Sequence, residues 1–156
     1  MSGKYTSALG LLRLQYEALV RSLWVYFCAT DDKVERLANG DPSTNEQLPQ
    51  LAQMLESLER QAPRSLAMSL LEFRESSWKP LSSYVHSGIH ALRWIDSGFP
   101  GPLLTQNIKV CDGMLVFTAL HFGELSGNLA NGMIVIDCAA HHTACVPPLR
   151  VDESAV

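Results

Sequence analysis

The chain has 156 residues, a formal charge of −4 and 47% hydrophobic content, enough apolar matter for one folded domain with a real core. Its 12 basic residues form no cluster, which excludes a broad electrostatic footprint for nucleic acid but leaves room for a compact RNA site. Four scattered cysteines (Cys28, Cys111, Cys138, Cys145) and the absence of a basic, apolar and cleavable leader point to reduced thiols and a cytoplasmic protein.

Helical spacing begins at once. From Ser7 to Ala29 the residues Leu9, Leu12, Tyr16, Leu19, Leu23 and Phe27 recur with the period of a helix. Leu11, Leu14, Ala18 and Val25 extend the apolar surface around most of the cylinder, so a central, largely enclosed helix is expected. Thr30-Asp-Asp is the cap of a short second helix that Asn39-Gly40 closes. Asp41-Pro-Ser-Thr-Asn has the chemistry of a loop. Ser43 and Glu46 have capping-box spacing, ahead of the stripe Leu48, Leu51, Leu55 and Leu58.

Pro63 separates that helix from another over about Arg64 to Ser76, and the two are expected to pack as a hairpin. Pro80 is placed to open a further helix through His86, with Gly88 bending or ending it. The strongest break is Asp96-Ser-Gly-Phe-Pro-Gly-Pro, after which helices over about Leu103 to Leu125 and Leu129 to Thr143 precede Pro147-Pro148 and a disordered tail over 147–156. The stretch from Gly113 to Ile136 is the closest approach to a membrane span. His121, Glu124, Asn128, Asn131 and four glycines interrupt it, so no membrane partner is expected. Ile134-Val-Ile has strand composition but no evident partner strand. The expectation is an all-α bundle of about five or six helices in a single domain, residues 1–146.

Chemistry concentrates between Trp78 and Trp94. His86 and His90 share a face if helical, and Arg93 lies one turn on. Two imidazoles at this spacing are suited to a structural role, to metal binding with Glu17 as a third ligand, or to phosphate chemistry with Arg93 or Arg21. On the first helix Arg13, Glu17 and Arg21 follow at four-residue steps. They form either a solvent-facing ion-pair ladder or, on a helix so apolar, an interior polar network. Cys138, His141, His142 and Cys145 would share one helical face, yet four ligands on one continuous helix cannot easily surround an ion. Phosphate-binding glycine loops, a G-x-S-x-G elbow and H-E-x-x-H are absent.

Two segments, Leu12-Arg-Leu-Gln-Tyr-Glu-Ala-Leu-Val-Arg-Ser-Leu-Trp24 and Leu81-Ser-Ser-Tyr-Val-His-Ser-Gly-Ile-His90, resemble an uncharacterised family of bacterial helical proteins with a Glu-x3-Arg pair and a later Ser-x-x-His segment. More distantly, the chain is similar to abortive-infection and HEPN-type proteins, many of which are RNA-cleaving, dimeric defence effectors. Their usual arginine followed four to six residues later by histidine is not found at any of the eight arginines, and the match reduces to Glu17, Arg21 and His86. What the resemblance implies is a phage-defence or toxin–antitoxin component acting on RNA without a metal or other cofactor. Glu17, Arg21 and His86 would then be catalytic, and His90 and Arg93 substrate-binding. The alternatives are a protein-interaction or homodimerisation domain and a metal-binding bundle.

Overall fold

The computed structural model describes residues 5–40, 43, 48–85 and 98–146. Among these residues the chain is all-α and has no strand. Six helices are defined: α1 Tyr5–Cys28, α2 Asp31–Ala38, α3 Leu51–Gln61, α4 Arg64–Val85, α5 Gly101–Leu125 and α6 Leu129–His141. The chain divides into two compact units, one of residues 10–88 and one of residues 1–9 with 89–156.

In the unit of residues 10–88, α1 buries Leu12, Tyr16, Leu19, Val20, Leu23 and Trp24, α3 buries Met54, Leu55 and Leu58, and α4 buries Leu66, Ala67, Leu70 and Leu81, with Tyr16 of α1 meeting Leu70, Phe73 and Trp78 of α4. The expected enclosed helix is instead two-faced: Leu11, Leu14 and Tyr26 are more than half exposed, and Ala18 is exposed. Apolar residues around the whole cylinder do not enclose a helix when the unit supplies neighbours for one face only.

The short α2 forms where its turn residues direct, with Thr30 extended at the N-cap and Gly40 at φ +67° beyond Asn39. Thr30 makes no side-chain cap. Asp31 and Asp32 instead place negative charge against the helix N-terminus, and Asp32 pairs with Arg36 at 3.2 Å. The leucine stripe of α3 starts later than Ser43 and Glu46 suggest. Its first turn is closed by the Gln53 side chain, which accepts the Gln50 N–H at 2.9 Å. Glu46 lies outside the described residues.

Helices α3 and α4 pack as the expected hairpin across Pro63. Pro80 opens no new helix, because α4 runs unbroken from Arg64 to Val85. An interior proline removes one helical hydrogen bond and costs about 3 kcal/mol. Burial of Leu81 just after it, and the contact of Trp78 with Tyr16 just before it, offset that cost.

In the other unit, α5 and α6 form a hairpin. A glycine-ended turn joins them: the Asn128 N–H donates to Gly123 O at 3.1 Å, and Gly127 takes φ +68°. This is the 6→1 closure that favours glycine just past a helix end. It splits the apolar stretch Gly113–Ile136 in two, and no described helix is long and apolar enough to cross a membrane. The helices meet closely where a Cβ on Gly123 would come within 3.2 Å of the Gly132 nitrogen. Near the start of α5, Phe99 packs on Tyr5 with ring centroids 5.4 Å apart. The expected tail, 147–156, lies outside the described residues.

Candidate functional site

The charged stripe of α1 is built from the buried residue beneath it. Tyr16 is fully enclosed. Its ring stacks on Phe73 at 4.8 Å and meets Trp78 edge-on at 6.0 Å, while its hydroxyl donates to Leu70 O at 2.9 Å. Burial pushes the Tyr16 hydroxyl well above the usual tyrosine range, with Arg74 opposing that rise. The same Trp78 ring carries the Arg13 guanidinium 4.5 Å from its centroid.

Glu17 stands between two arginines. Arg13 Nε donates to Glu17 Oε1 at 3.0 Å and Arg21 donates to Glu17 Oε2 at 3.4 Å. The Arg13 and Glu17 side chains are only 14% and 16% exposed, whereas Arg21 is 52% exposed. The ladder is thus neither wholly solvated nor wholly interior: one end is sunk against an indole and the other reaches water. Both carboxylate oxygens of Glu17 are engaged by cations, so accepting a substrate proton would require releasing one of them.

Of the residues expected to form a site, Glu17 and Arg21 come together. His86, His90 and Arg93 lie outside the described residues. Arg13 is Glu17's nearer partner, and its stacking on Trp78 is the feature sequence reasoning missed. The signal was present in Arg13, Tyr16 and Glu17 on one helical face, but its aromatic floor comes from residues 73 and 78 of another helix.

The second cluster does not assemble. Helix α6 stops at His141, so Cys138 and Cys145 no longer share a helical face, and His141 Nδ1 already lies 2.8 Å from Asp137 O. Among the described residues no three histidine, cysteine or acidic side chains gather as a metal site would need. All four cysteines are free thiols. Burial raises the Cys28 thiol pKa against the pull of Arg60; burial, and then Asp112, raise that of Cys111.

A different feature stands out on α5. Ile108, Leu115 and Phe122, each seven residues from the next, are 57%, 61% and 63% exposed. Leu104, Cys111, Thr118 and Leu125 alternate with them at four and three residues, all incompletely buried. This is a heptad seam along the whole helix.

Comparison with curated proteins and with solved structures gives no match. A family model does match residues 1–148, nearly the whole chain, and its description is a family of unknown function. The chain therefore belongs to that family, DUF6988.

Proposed function

We propose that this chain is a protein-interaction domain whose docking element is the apolar seam of α5. The observation that carries this reading is the exposure of Ile108, Leu115 and Phe122 at heptad spacing on a helix with few charged residues. A helix apolar over so much of its circumference is ordinarily enclosed, yet among its described large side chains only Met114 is buried. Exposed apolar area of this kind favours association, because each such side chain removed from water contributes about 1.5–3 kcal/mol when fully covered.

A photo-crosslinking residue placed at position 115 tests this in the expressing cell. Adducts to a protein, this chain included, are expected. A seam that yields none refutes the reading.

A second reading, an RNA-directed component of a phage-defence or toxin–antitoxin pair, is favoured by Arg21. Its half-exposed guanidinium ends a stripe of two arginines and one carboxylate, a net positive charge at the surface suited to a phosphate. The HEPN-like resemblance adds His86 as general acid or base and His90 with Arg93 as phosphate contacts. Incubation with total RNA or tRNA in chelator should then show cleavage that His86→Ala reduces by about 10² to 10⁴ in rate. RNA left intact by the parent chain excludes this reading.

A further inference from the structure

We draw no further inference here: the strongest candidate, the exposed apolar face of α5 at Ile108, Leu115 and Phe122, carries nothing beyond the interaction-domain reading because nothing in the structure shows what covers it.

Discussion

Replacing Tyr16 by phenylalanine isolates one oxygen in the most enclosed part of residues 10–88. The hydroxyl donates to Leu70 O at 2.9 Å, and no surface of Tyr16 is exposed. Phenylalanine keeps the ring on Phe73 and Trp78 and removes only that bond, so the expected loss is about 1 kcal/mol, the net worth of a neutral hydrogen bond. Alanine removes the ring as well, and large-to-small changes of aromatic residues in cores cost about 3–5 kcal/mol. A pH signature accompanies the first change. Because the folded hydroxyl titrates above the unfolded one, whose ordinary value is 10.0, its neutral form stabilises the fold below that pH. As pH rises past it, the unfolded chain ionises first and stability falls by up to about 1.4 kcal/mol per pH unit until the folded group also ionises. Urea unfolding followed by circular dichroism, repeated from neutral to alkaline pH, measures both effects. Tyr16→Phe should be slightly less stable than the parent at neutral pH and lose part of the alkaline fall. A phenylalanine variant as damaged as the alanine one, or with the parent's full alkaline fall, would refute the reasoning.

Three further outcomes follow from the same geometry. Glu17→Ala removes the carboxylate beside the largely buried Arg13 and should cost about 1.5–3 kcal/mol in unfolding free energy, the range of a hydrogen bond to a charged group, whereas Arg21→Ala at the exposed end should stay within about 1 kcal/mol. Gly123→Ala pushes a methyl to 3.2 Å from the Gly132 nitrogen, a backbone atom that cannot swing aside, and should destabilise by about 1 kcal/mol or more despite better helix propensity; Gly132→Ala meets nothing within 4 Å and should be neutral or stabilising in thermal melts. With a thiol-specific reagent near neutral pH, exposed Cys138 and Cys145 should react faster than half-buried Cys28 and Cys111, whose partial burial resists ionisation; equal rates at all four would count against that partial burial.

What could be read from the sequence tracks what depends on near neighbours in the chain. The turns at Asn39-Gly40 and before Gly101, and the core face of α1 at Leu12, Tyr16, Leu19 and Leu23, follow from period and backbone preference alone. Pro80 misled because a local rule for proline was overridden by tertiary packing: the chain beyond it is held by burial of Leu81, which no local pattern announces. The candidate site shows the same division. The Glu17–Arg21 pair was legible from its spacing, but the depth of the ladder was not, since the Arg13 end is set by Trp78 and by Phe73 under Tyr16, some 60 residues away in sequence.

The two units also differ in how far they satisfy themselves, and that difference bears on function. Among the described residues, 10–88 bury leucines from α1, α3 and α4 together with Tyr16. Among the described side chains of α5 and α6 the large buried one is Met114, while Ile108, Leu115, Phe122, Met133 and Ile134 are each more than half exposed. Propensity alone makes isolated helices marginal in water, so a hairpin this poor in enclosed apolar area gains disproportionately from any surface that covers it. Leu11, Leu14 and Ala18 also line an exposed face of α1, but on a helix whose opposite face is fully buried. It is the combination of a regular seam with a thin core beneath it that separates α5 from α1. Association through the seam would therefore stabilise residues 101–141 more than residues 10–88, coupling the folding of the hairpin to the presence of its partner.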